Sequence, residues 1–241
     1  MHLSTVALAA TTIATTAAAP LLNTTFPLNT TSPLNNTSPL NTTTPLTQRS
    51  PNAACTGQTQ KREYPNPGPS ERYQQIYPPT NWPSFDCLFE MNRASINAKN
   101  PNPAEADQVK AAILYAHSQT AVDARVILAV LMQESHGELR VGHTIQPDDH
   151  VSTNNGMMQC WGCKGAAHVP AGQGVEQGLV NEMVLGGAMH LKNNLEQNGW
   201  DTFKGLRAYN SGRIDWDLNN PIAATRDYVW DCANRLVGWV W

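Results

Sequence analysis

Proline returns every sixth residue in PLNTTS from Pro27, PLNNTS from Pro33, PLNTTT from Pro39 and PLTQRS from Pro45. A chain so punctuated cannot lay an apolar face along a helix or a strand. The same tract is uncharged: no Lys, Arg, Asp or Glu precedes Arg49, so all 16 basic and 19 acidic residues belong to the remainder. Residues 20–50 are therefore expected to form an extended, disordered stalk, which leaves folding to the chain that follows. Asn-x-Ser/Thr sequons occur at Asn23, Asn29, Asn35, Asn36 and Asn41 and nowhere later. This confinement points to a glycosylated spacer, with the adjacent Asn35 and Asn36 not both modified.

The first 19 residues have a weakly cationic start, an apolar stretch from Val6 to Ala14, and small residues at Ala17, Ala18 and Ala19. That is the pattern of a secretory signal peptide, and the stretch falls short of the ~20 apolar residues a bilayer span needs. The chain is expected to be secreted and extracellular. A secreted chain with Cys55, Cys87, Cys160, Cys163 and Cys232 has up to two disulfides and one thiol left over. The Cys160-x-x-Cys163 pair lies in no βαβ pattern that would suggest redox chemistry, and it lacks the second ligand pair a zinc site requires. A local structural bridge, or separate bridges to distant cysteines, is expected instead. No metal or cofactor is expected.

Residues 51–100, with YPNPGPS and PPTNWPSF, read as an irregular segment that wraps the domain, tied by Cys55 or Cys87. From residue 101 to 241 the texture is helical. Asn102, Pro103 and Glu105 have the order of an N-cap, an N1 proline and an N3 glutamate, and Val109, Ile113 and Ala116 follow at helical spacing. Asp123 caps a second helix, ARVILAVLMQESH, whose apolar stripe includes Val126, Val130 and Leu131. A third helix is predicted from Val175 to Gln197, with Leu179, Met183, Leu191 and Leu195 on its stripe. A last one is predicted from Asn220-Pro221, carrying Val229, Cys232 and Leu236. The fold class is mainly α, with a small irregular or β-hairpin region between Leu139 and Gln159.

Glu134 stands three residues after Leu131, four after Val130 and eight after Val126, so its carboxylate falls on the apolar face near the end of the second helix. Burial and the negative end of the helix dipole both disfavour its charged form, which raises its pKa. A carboxylic acid protonated near neutrality can give its proton to a glycosidic oxygen.

The words around Glu134 carry a resemblance. LMQESHGELRVG, then NNGMMQ at Asn154–Gln159, then AYNSG at Ala208–Gly212 resemble, in order and separation, the Glu-Ser, Gly-Leu-Met-Gln and Ala-Tyr-Asn-Ala-Gly motifs of the soluble lytic transglycosylase and goose-type lysozyme family. The resemblance covers residues 103–240. It implies a lysozyme-like catalytic domain over residues 101–241, acting on a β-1,4-linked amino-sugar polysaccharide. It also implies Glu134 as the acid, Ser135 holding the glutamate or the sugar, Met158 and Gln159 lining the cleft, Tyr209 and Asn210 beside the scissile bond, and Tyr228 approaching the glutamate.

The sequence departs from the family in its acidic residues. Asp148 and Asp149 stand near the position of one water-activating aspartate, whereas the second position is Trp161. If Asp148 or Asp149 holds a water, hydrolysis with inversion is expected; without one, Glu134 serves as acid and then base, and a sugar hydroxyl closes an anhydro ring, as in the lytic transglycosylases. Trp161, Trp200 and Trp216 are candidates for stacking on sugar faces. The expected substrate is peptidoglycan, with chitin as the alternative because a net charge of −3 offers no general attraction to an anionic wall. A secreted lysozyme-like binding protein without turnover is the reading from another class. Neither nucleic acid nor membrane is expected as a partner, and the protein is expected to be a monomer.

Overall fold

The computed structural model describes residues 57–145, 153–221 and 224–241, all within the unit Gln48–Trp241. The predicted signal peptide and stalk, and Cys55, Asp148 and Asp149, lie outside the described residues.

The architecture is mainly α, with a small three-stranded antiparallel sheet. Helix α3 (Ala104–Thr120) begins where Asn102 Oδ1 accepts the Ala104 N–H, and it buries Val109, Ala112, Ile113 and Ala116. Helix α4 (Ala124–Ser135) starts at Asp123, whose carboxylate accepts the Arg125 N–H, and it stops where His136 turns left-handed at φ 55°. Leu128, Val130 and Leu131 in α4 are essentially inaccessible to water; each such side chain stabilises the fold by about 1.5–3 kcal/mol relative to exposure. Helix α5 (Gln177–Gln197) lies along α3, and its stripe Val180, Met183, Val184, Ala188 and Leu191 fills the centre of the core.

Three expectations are corrected. Residues 57–100 are not irregular throughout: they contain α1 (Ser70–Ile76), a 3-10 turn at Pro79–Asn81, and the 15-residue α2 (Phe85–Lys99). The Ser84 hydroxyl accepts the Cys87 N–H, and Leu88, Phe89, Asn92 and Ile96 turn one face of α2 inward. The cap and periodicity were masked by the prolines at 78, 79 and 83. The sequence reading also missed α6 (Thr202–Ser211), whose Asp201 cap accepts the Phe203 and Lys204 N–H groups. The last helix, α7 (Tyr228–Leu236), begins well after Asn220-Pro221. The chain just before it is fastened elsewhere: Asp217 accepts the Gly68 and Asn219 N–H groups, and Leu218 N–H donates to the Gly68 carbonyl.

Strands β1 (Thr144–Ile145), β2 (Thr153–Asn155) and β3 (Cys160–Trp161) make the sheet, with Thr144 opposite Asn154 and Asn154 opposite Trp161. Residues directly opposite one another share a face, so these three side chains form one row. The turn between β2 and β3 requires Gly156: its φ is +73°, and a Cβ there would collide with the Lys164 carbonyl. Cys160 and Cys163 form a disulfide immediately after this turn, the local bridge among the alternatives open in the sequence. Cys87 is disulfide-bonded as well, and Cys232 is a free, buried thiol. Among the described residues no helix is long and apolar enough to cross a membrane.

Candidate active site

The last turn of α4, the sheet, α5, α6 and the chain entering α7 enclose a cleft of about 400 Å³, a size suited to a small ligand or a few units of a polymer. Glu134 enters from α4. The row Thr144, Asn154 and Trp161 comes from the sheet, with Gln159 beside it; His190 and Asn194 come from α5, Tyr209 and Asn210 from α6, and Ala224 and Thr225 from the approach to α7. Among the described residues that line the cleft, Glu134 is the one carboxylate.

The Tyr228 hydroxyl donates a 2.6 Å hydrogen bond to Glu134 Oε1. Burial raises the Glu134 pKa to about 7, although the Tyr228 bond acts in the opposite direction by favouring the charged form. Desolvation therefore wins. Because Tyr228 occupies Oε1 as a donor, the carboxylic proton belongs on Oε2. Burial pushes the Tyr228 phenol itself far above its usual range, and the Glu134 charge acts in the same direction, so the phenol remains a donor near neutrality.

Three amides are oriented by groups whose roles are fixed. Arg207, fully buried, donates to Asn210 Oδ1, to the Leu218 carbonyl at 3.1 Å and to the Thr225 carbonyl at 3.1 Å, and its guanidinium lies 5.9 Å from the centre of the Tyr228 ring. A guanidinium can only donate, so Asn210 presents its NH₂ to the cleft. Gln159 Nε2 donates to the carbonyls of Gly142 at 2.9 Å and Gly156 at 3.0 Å, leaving Oε1 as an acceptor. Asn194 likewise spends its NH₂ on the His190 carbonyl. The cleft thus offers amide donors and acceptors around one protonated acid.

The structure brings Glu134, Gln159, Trp161, Tyr209 and Asn210 to the cleft and Tyr228 against the acid. It does not place Ser135 and Met158 there as side chains. The Ser135 hydroxyl donates to the Leu131 carbonyl and accepts the Gly137 N–H, finishing the end of α4. The Met158 side chain packs against Gly187 of α5 in the core, while its carbonyl accepts the Tyr209 hydroxyl at 2.6 Å. Met158 therefore positions a tyrosine through its backbone. Trp200 and Trp216, 49% and 67% exposed, do not line this cleft. His190 and Asn194 were missed by the sequence reading, though their i, i+4 spacing off the apolar stripe of α5 marks a shared face. Nothing in the sequence marks Arg207, which sits amid apolar neighbours in α6.

Among the described residues no group of three or more His, Cys, Asp or Glu side chains is gathered as a metal site. The chain matches no protein-family model, no curated protein and no solved structure.

Proposed function

We propose that this protein is a glycosidase that cleaves the β-1,4 bonds of an amino-sugar polymer, with a lysozyme-like domain of the kind its motifs resemble. The observation that carries the reading is Glu134: a carboxyl group with its pKa raised to about 7, held at Oε1 by Tyr228 and opening on a polar cleft. In a binding module such a group gains nothing from being buried in its protonated form. In a glycosidase it is the general acid.

Glu134 Oε2 gives its proton to the glycosidic oxygen as the C1–O bond breaks, and positive charge develops over C1 and the ring oxygen. The resulting carboxylate then takes a proton from the group that attacks C1. Attack by water gives a reducing end; attack by the sugar's own C6 hydroxyl gives a 1,6-anhydro ring. The Asn210 NH₂ and the acceptors on Gln159 and Asn194 suit the hydroxyl and acetamido groups of such a sugar. Because the acid must be protonated, cleavage declines as pH rises past about 7.

The test is Glu134→Gln, incubated beside the parent with peptidoglycan and with chitin, followed by product analysis. The expected outcome is release of oligosaccharides from at least one polymer by the parent and a loss of 10²- to 10⁴-fold in the variant. A variant retaining more than about a tenth of the activity removes Glu134 from this role.

A further inference from the structure

The cleft has neighbouring hollows on the side of Ala224 and Thr225. Its wall residue Ala224 also lines a second hollow of about 430 Å³, with Asp217, Asn219, Asn220, Pro221 and Arg226. Asn220 and Pro221 in turn line a third, of about 250 Å³, with Ile214 and Trp216. The three hollows are neighbours through these shared lining residues, in the order Glu134, Ala224, Asn220–Pro221, Trp216.

Trp216 is 67% exposed, yet the chain beside it is firmly held. Leu218 and Asn219 are buried. Asp217 accepts two backbone N–H groups, the Arg207 guanidinium donates to the Leu218 carbonyl, and the Tyr73 hydroxyl donates to Asn219 Oδ1 at 2.5 Å. In the hollow that Trp216 lines, Asn220 Nδ2 donates to Asp215 Oδ2 at 2.8 Å, so polar groups share that hollow with the indole. A large apolar side chain held in water by a fixed base, bordered by hydroxyl-binding groups, suits the face and rim of a pyranose.

We propose that the substrate groove runs from Glu134 to Trp216, and that Trp216 is a stacking platform for a sugar several units along the chain from the bond that breaks. The platform rests on the glycosidase reading and adds a requirement to it: recognition improves with chain length because only a long chain reaches the indole. Its ligand is a pyranose of the same amino-sugar polymer.

Binding of chitooligosaccharides of two to eight sugars to Glu134→Gln protein, measured by calorimetry with and without Trp216→Ala, tests this. The expected result is unchanged affinity for the disaccharide and a loss of about five- to tenfold for the longest chain, an effect typical of one aromatic contact. Trp216→Phe restores most of it. Equal affinity with and without the indole at every length, or an equal loss at every length, overturns the platform. Should the parent cleave no polymer and bind no oligosaccharide, the glycosidase reading falls and the platform with it. Should it bind and cleave while Trp216→Ala changes nothing, the platform alone falls.

Discussion

Burying Glu134 with its pKa raised carries a cost to stability. Its pKa is about 7 in the folded protein and 4.5 in the exposed chain, so the folded state binds the proton more tightly. Stability from this group is complete below pH 4.5 and is lost as pH rises through about 7, reaching a penalty on the order of 3 kcal/mol. Glutamine has no proton to lose. Glu134→Gln and the parent are therefore expected to melt together near pH 4, with the variant more stable at pH 8 by a margin on the order of 10 °C. Parallel melting curves across that range, read by calorimetry, refute the assignment of a buried, protonated acid. The position of Glu134 was legible from three apolar spacings. The roles of Ser135 and Met158 were not, because one works at its own helix end and the other through a carbonyl, and motif matching attributes function to side chains.

At the scale of elements, the site depends on how closely α5 approaches the turn between β2 and β3. Gly187 permits this contact: a Cβ there would collide with the Cβ and sulfur of Met158. Alanine improves helix propensity by about 1 kcal/mol, whereas overpacking costs about 1–3 kcal/mol. Since Met158 Cβ cannot move without its backbone, the cost wins. Gly187→Ala is expected to lower stability by about 1 kcal/mol or more and to weaken oligosaccharide binding, because the displaced Met158 carbonyl anchors Tyr209. A higher melting temperature in thermal denaturation would show that the turn yields freely. The sequence made α3, α4 and α5 readable because each has a cap or a stripe of its own. Helix α6 was hidden: Gly205 packs under Leu195 and Arg207 is buried, so neither looks like part of an apolar face. The start of α7 was misplaced because Asn220-Pro221 looks like a cap, whereas Asp217 and Gly68 fix that stretch through long-range bonds that no local pattern displays.

For the molecule as a whole, the segment before α1 acts as a strap. Thr59 N–H donates to the Gly238 carbonyl, Arg62 N–H to Asn234, and Gly68 pairs with Asp217 and Leu218. Deleting residues 20–48, which lie ahead of the strap and carry no charge, is expected to leave the melting temperature and activity on soluble oligosaccharides unchanged. A folding defect in that truncation, seen by circular dichroism, would make the tract part of the domain. The acid itself spans the molecule: Glu134 on α4 meets Tyr228 on α7, 94 residues away. Where α7 lifts off, the carboxyl meets water, its proton affinity falls back toward that of a free side chain, and at neutral pH it ionises. The Glu134 proton is thus a property of the closed tertiary structure, and on the glycosidase reading a partly opened chain has no acid to offer. On heating at pH 7, activity should vanish with the first opening of the α4–α7 contact, making the reaction a gauge of that seam before the rest of the fold gives way.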